Sequence, residues 1–253
     1  MLLPCLSSPA MREPIHYIPI LTTLVSLAFA SILWRRWRAK PQATYLLWWF
    51  LGLATYAAGT ITESATTLFG WSEPVFRAWY ITGALLGGAP LAQGTVYLLL
   101  PRKTADRLTA LLLAVVTAGA ICVLLSPIRH ELVEPHRLSG RVLGWQWVRM
   151  ISPFVNTYAV LFLVGGALWS AWRYFTESEG GPRMWGNLAI AVGAILPGIG
   201  GSFTRFGHVE VLYVTELLGV LFVWLGYSMI VRDRGQSLHD AQRSAAVSAS
   251  SRA

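Results

Sequence analysis

The sequence predicts an all-α, polytopic membrane protein of seven transmembrane helices, arranged as three helices, a connector and three more running in the same direction. Three observations predict it. Of the 253 residues, 55% are hydrophobic and only 13% charged, too little charge to coat a soluble domain of this size. Apolar runs of about 20 residues, the length that spans a bilayer core, recur along the chain. One stretch also occurs twice. Pro19-Ile20-Leu21-Thr22-Thr23 … Leu33-Trp34-Arg35-Arg36-Trp37-Arg38 is echoed by Pro153-Phe154-Val155-Asn156-Thr157 … Leu168-Trp169-Ser170-Ala171-Trp172-Arg173.

Residues 1–14 read as an N-terminal tail, with Met11 a second candidate start. The first apolar run is followed by arginines and no small-residue cleavage site, so it reads as a span and not a signal peptide. The first helix, 15–34, is expected to stop at the basic cluster Arg35 to Lys40. The second, 44–69, opens with the aromatic belt Tyr45, Trp48, Trp49 and Phe50. A short turn leads to the third, 75–100, interrupted at Gly87-Gly88-Ala89-Pro90. The fourth, 105–125, is the plainest, rich in Leu, Ala and Val. The one long connection follows, Ser126 to Val148, where Trp145 and Trp147 beside basic residues predict an interfacial helix. The fifth helix, 150–172, is the second copy of the first. The sixth, 184–206, is expected to break at Pro197-Gly198-Ile199-Gly200-Gly201, and the seventh spans 209–231. The polar residues 233–253 are expected to be a disordered cytoplasmic tail. Residues 15–232 form one transmembrane domain.

Basic residues set the predicted orientation. With the N-terminus outside, thirteen of the twenty Lys and Arg fall inside, among them Arg35, Arg36, Arg38, Lys40, Arg102, Lys103 and Arg107. Of the seven outside, Arg129, Arg137 and Arg141 belong to the long connection and Arg149 directly follows it. The expected location is the plasma membrane, N-terminus out and C-terminus in. The net charge of +8 is thus a topology signal, and no nucleic-acid partner is expected. Only Lys40 and Lys103 are lysines, a bias that points to a GC-rich, bacterial genome. Cys5 and Cys122 read as two free thiols.

If the fifth helix repeats the first, the sixth should echo the second and the seventh the third. Ser64, Thr66 and Phe69-Gly70 close the second helix; Ser202, Thr204 and Phe206-Gly207 close the sixth; Glu73 and Glu210 open the helices that follow. Short matches at helix ends also arise by chance, and both readings stand at this stage.

Only Glu63 and Glu216 fall well within apolar segments. Glu216 lies about 8 Å along its helix at 1.5 Å per residue, and Glu63 a similar distance from the same face. Ionisable groups at such depth must face a partner or a wet cavity. With Arg77 and Arg205 near the same face and Tyr213 and Tyr80 nearby, Glu63 and Glu216 could line an outward-facing polar pocket, with His208 at its rim. An ion pair that only fixes packing, and snorkelling to the headgroups, are the competing readings. Gln93, Asn156 and Asn187 read chiefly as hydrogen bonds between helices.

Several chemistries are set aside. No lysine lies inside the bundle for a retinal Schiff base, and no histidine lies at depth for haem. His130, Glu131, Glu134 and His136 have no zinc-site spacing. Neither a phosphate loop nor a nucleophile elbow is present. No metal or cofactor is expected.

In topology alone, three-one-three with the N-terminus outside, the chain resembles the SWEET and PQ-loop families. The resemblance implies small-solute transport; Pro41-Gln42 lies in a loop, away from where those families place the pair. A small-solute transporter is therefore the first functional reading. A sensor or ligand-binding module acting through a signalling partner is the second, and an intramembrane lipid-modifying enzyme the third. The expected partners are the lipid bilayer and an unknown small molecule, with a homo-oligomer left open.

Overall fold

The computed structural model describes residues 14–135, 137–177 and 181–250; the side chains of Arg205 and of 234–250 lie outside that description. The described chain is helical. After a 3-10 turn at Pro14–Tyr17 come α1 (Ile18–Ala39), α2 (Thr44–Phe69), α3 (Glu73–Trp79), a π segment Tyr80–Leu86, α4 (Ala89–Leu99) and α5 (Arg102–Leu125). A loop with three 3-10 turns then leads to α6 (Ile151–Ala159), a π segment Val160–Val164, α7 (Gly165–Thr176), α8 (Pro182–Phe203), a 3-10 turn Thr204–Phe206 and α9 (Val209–Ser250). Among the described residues, five helical stretches are long and apolar enough to cross a membrane: Pro14–Ala39, Arg102–Leu125, Gln146–Thr176, Pro182–Phe203 and Val209–Asp233. The protein is a multi-pass membrane protein. Lipid-facing residues account for the many large apolar side chains left exposed, Leu21, Leu24, Leu111 and Leu125 among them, since hydrocarbon solvates them as well as a core would.

The helices close into a ring. α1 packs on α2 and α9, α2 on α4, α4 on α6, α7 on α8, and α8 on α9. α5 stays outside this ring, against α4, the Tyr80–Leu86 segment and α6. The long loop lies at one end of the bundle, called here the loop end. The arginines of α1 and the Arg102–Lys103 start of α5 lie at the other, the basic end.

Several boundaries depart from the sequence reading, each for a local reason. Arg35, Arg36 and Arg38 sit inside α1, because arginine is a good helix former. The stop comes at Lys40, which precedes Pro41 and takes φ −141° and ψ 72°, the non-helical region a following proline imposes. The break expected at Pro197 does not occur: α8 runs unbroken through it. A proline lacks only one N–H, and a neighbouring helix can take up the freed carbonyl. Here α9 packs closely on this stretch, with Gly219 lying against Pro197 and the Gly193 carbonyl. The long loop forms only the short turns His130–Leu132, Gly140–Val142 and Gln146–Met150 in place of an interfacial helix. α9 continues to Ser250 past the expected stop at Arg232; the Ala- and Arg-rich stretch beyond contains Gly235 but no proline to end it.

The interruption of the third helix is present and has a clear cause. Gly87 takes φ +46°, a conformation that costs L-residues energy. Its neighbour across the break is Asn156 of α6, whose Nδ2 donates to the Ala84 carbonyl at 3.3 Å. Asn156 thus satisfies a carbonyl that the break leaves without its intrahelical partner. Gly87→Ala is expected to destabilise the protein by about 1–3 kcal/mol, the range for enforced backbone strain. The added Cβ would also run into Asn156 Oδ1. Gly88→Ala is the control: that residue is at φ −83°, and its Cβ would meet Ala159 at an ordinary 3.4 Å. Thermal unfolding in detergent should separate the two; equal midpoints would refute this account of the break.

Another polar feature lies toward the basic end. Fully buried Gln93 donates to Thr109 Oγ1 at 2.7 Å and to the Ala105 carbonyl at 3.2 Å, and accepts from the Tyr158 hydroxyl. Its polar groups are satisfied between α4, α5 and α6, the packing role expected for it.

Candidate functional site

Glu63 lies on α2, seven residues and so two helical turns from Tyr56. Tyr56 donates its hydroxyl to the backbone carbonyl of Glu216 on α9 at 2.9 Å. That bond ties the two helices at this depth, although α2 and α9 are not neighbours in the ring. Side chains that meet between them therefore meet in its interior. The carboxyl groups of Glu63 and Glu216 lie close enough there to act on each other. Glu63 is 5% exposed. Its Oε1 accepts a hydrogen bond from the Trp79 indole N–H at 3.0 Å. The Oε2 atoms of both Glu63 and Glu216 are buried with no hydrogen-bond donor.

Local sequence explains how α2 carries such a group. Thr55, Thr60, Thr62, Ser64 and Thr66 each return their hydroxyl to a carbonyl three or four residues earlier. This back-bonding satisfies hydroxyls that apolar surroundings would otherwise penalise. Thr60 also shares a 2.7 Å hydrogen bond with Thr23 of α1, fixing the register of the first two helices just below Glu63.

Tyr213, one turn before Glu216 on α9, is buried and takes the edge of the His16 ring at 6.3 Å. His16 Nε2 in turn lies 3.9 Å from Glu210 Oε1. Arg137 of the long loop reaches over this end, donating to the Thr204 carbonyl at 2.8 Å and pairing with Glu134 at 3.4 Å. The loop is held to the other side as well, where Trp71 N–H donates to the Pro135 carbonyl at 2.8 Å.

Of the sequence-derived set, Glu63, Glu216 and Tyr213 come together. Arg77 does not join them. Its guanidinium turns to α5, donating to the carbonyls of Val123 and Ser126, the latter at 2.9 Å, and pairs with Glu73 at 2.7 Å. The last carbonyls of a helix have no intrahelical partners and attract a cation, so α5 outcompetes the Glu63 carboxyl for it. Tyr80 is also elsewhere, 3.5 Å from Ser152 Oγ in the apolar cluster of Phe76, Val123, Val142, Leu143 and Val148. Arg205 lies in the Thr204–Phe206 turn, and its side chain is outside the described residues. Oε2 of each carboxyl group is buried, and Glu216 is the more exposed residue of the two. Trp79 escaped the sequence reading because an indole in a tryptophan-rich chain passes as interfacial belt; the signal was its place six residues after Glu73, near the depth of Glu63.

Chemically, the arrangement can hold a proton or a small cation between two carboxyl groups of the bundle interior, with one indole donor fixing one of them. No group of three or more metal-ligating side chains occurs among the described residues. Compared with known proteins, the chain matches no family model, no curated protein and no solved structure.

Proposed function

We propose that the protein is a small-solute transporter of the plasma membrane, with seven spans, the N-terminus outside and the C-terminus in the cytoplasm. In this reading α2 and the broken α3–α4 stretch are spans beside the five apolar ones, and residues 15–232 form the transport domain. Glu63, Glu216 and Tyr213 line the site where the solute or its coupling ion binds.

The observation that carries the proposal is the carboxyl pair inside the helix ring. Burying two such groups is costly unless they serve a partner. The ring supports the three-one-three repeat. Exchanging α1 with α6–α7, α2 with α8, and α3–α4 with α9 leaves every neighbour relation unchanged, and α5 stays outside as the connector. Parallel repeats of this kind place solute sites at their interface near the bilayer midplane.

Uptake into proteoliposomes tests the proposal, with a panel of labelled sugars, amino acids and organic ions. Wild type should accumulate at least one solute above empty vesicles, and Glu216→Gln should fall to background. Glu177→Gln, on an exposed residue that pairs with Arg173, should transport normally. The folded loop that clasps both the α2–α3 turn and the end of α8 favours a sensor as the second reading. A solute that raises thermal stability but is never taken up would choose the sensor over the transporter.

A further inference from the structure

We propose that Glu63 and Glu216 together hold a single proton, and that this proton is the ion coupled to solute movement. The coupling rests on the transport reading; the proton does not.

The geometry carries the first step. Two carboxyl groups lie close enough to act on each other inside a helical bundle, and no ion pair to either occurs among the described residues. Both Oε2 atoms are buried and lack a donor from the protein. Two carboxylates in that position would repel strongly, because little water screens them. One proton removes the conflict: the protonated carboxyl donates O–H to the ionised one, and both oxygens gain a partner. The pair then bears one negative charge, which the Trp79 N–H stabilises through Glu63 Oε1.

The same surroundings disfavour a metal cation. Hard cations need several oxygen ligands converging on one point. Here one oxygen of Glu63 is taken by an N–H donor, whose positive end repels a cation. The hydroxyls of Thr60, Ser64 and Thr66 are turned back to their own helix. The Tyr56 hydroxyl is committed to the Glu216 carbonyl.

The other titratable and charged groups around the pair come from several elements. The turn before α1 brings His16, which lies beside Glu210. α2 brings Tyr56, and α9 brings Glu210 and Tyr213. α3 carries Glu73 and Arg77, which bond to each other and to α5. The long loop brings Arg137, held by Glu134 and Thr204. The Thr204–Phe206 turn carries Arg205. None of the described groups forms an ion pair with Glu63 or Glu216.

Infrared spectroscopy of the full chain in phosphatidylcholine vesicles tests the proton directly. At neutral pH, wild type should give a carboxylic-acid carbonyl band that moves in D2O and shifts on 13C-labelling of glutamate carboxyls. E63Q and E216Q should each lose it, and E177Q should keep it. Should a glutamine variant fail to fold, the labelled wild-type band alone decides whether a buried glutamic acid is protonated. Absence of the band in wild type, its survival in either site variant, or its loss when choline chloride is replaced by sodium chloride would each overturn the proposal. Coupling is tested separately on any solute that the vesicles take up. An inward pH gradient should raise wild-type uptake severalfold and leave E63Q and E216Q unmoved. A gradient response that persists in those variants refutes the coupling. A band that behaves as stated in a protein that moves no solute refutes the transport reading alone.

Discussion

Replacing Gly193 or Gly226 with leucine is expected to separate α8 from α9 and to cost about 3 kcal/mol or more, the upper end of what overpacking does. Gly186, Gly193 and Gly200 recur every seven residues on α8, and Gly219 and Gly226 do so on α9. The spacing lines each set along one helix face, and the two faces meet antiparallel. A Cβ at Gly193 would lie 2.6 Å from the Gly219 carbonyl oxygen and 2.8 Å from Val223 N; one at Gly186 would lie 2.8 Å from the Gly226 carbonyl oxygen. These neighbours are backbone atoms, which cannot rotate away, so the helices themselves must move apart. In lipid, where no hydrophobic drive holds helices together, such close approach is a main source of cohesion. Gly198→Leu is the control, since a Cβ there meets nothing within 4 Å. Thermal unfolding and size-exclusion profiles in detergent should show a large loss for the first two variants and little for the third. Equal behaviour would mean that the glycines are incidental to the pairing.

Arg77→Met should destabilise the loop end by about 3 kcal/mol while sparing uptake per folded molecule. The guanidinium serves two carbonyls at the end of α5 and one carboxylate, and its side chain is 15% exposed. Charge-assisted bonds contribute about 1.5–3 kcal/mol each, and a buried acceptor left bare costs more than a pair never made. The exposed side of Glu73 limits what the ion pair itself adds. Limited proteolysis should find the long loop cleaved faster in the variant, and the unfolding midpoint should fall. Normal stability with uptake abolished would return Arg77 to the solute site.

This contrast marks where the sequence was legible and where it was not. Depth along an apolar segment follows from counting residues, and it singled out Glu63 and Glu216, which the structure brings together. The same count put Arg77 near that face, yet could not say which way it turned. Direction around a helix depends on neighbours distant in sequence, in this case the unsatisfied carbonyls of Val123 and Ser126. Pro197 misled for a similar reason. A proline beside three glycines reads as a break, but the packing of Gly219 against it comes from a helix the local sequence does not contain. By contrast, the Gly87 break was legible because it is local: two glycines and a proline within four residues leave few other conformations. The glycine heptads are written in the sequence as well, as a period of seven in one residue type, but the helix they meet is not.

The composition of α2 bears on how the protein is made. Thr44–Phe69 has the length of a span but is not among the helices apolar enough to cross on their own. Glu63 alone opposes insertion by about 2.5–3.5 kcal/mol if placed at mid-depth. α1 precedes it by a short turn and offers Thr23 to Thr60. On the seven-span reading, α2 leaves the translocation machinery as a hairpin with α1, not as a single helix. The Thr23–Thr60 bond then forms at birth, and the first carboxylate enters the bilayer before the helix that carries its partner has been synthesised.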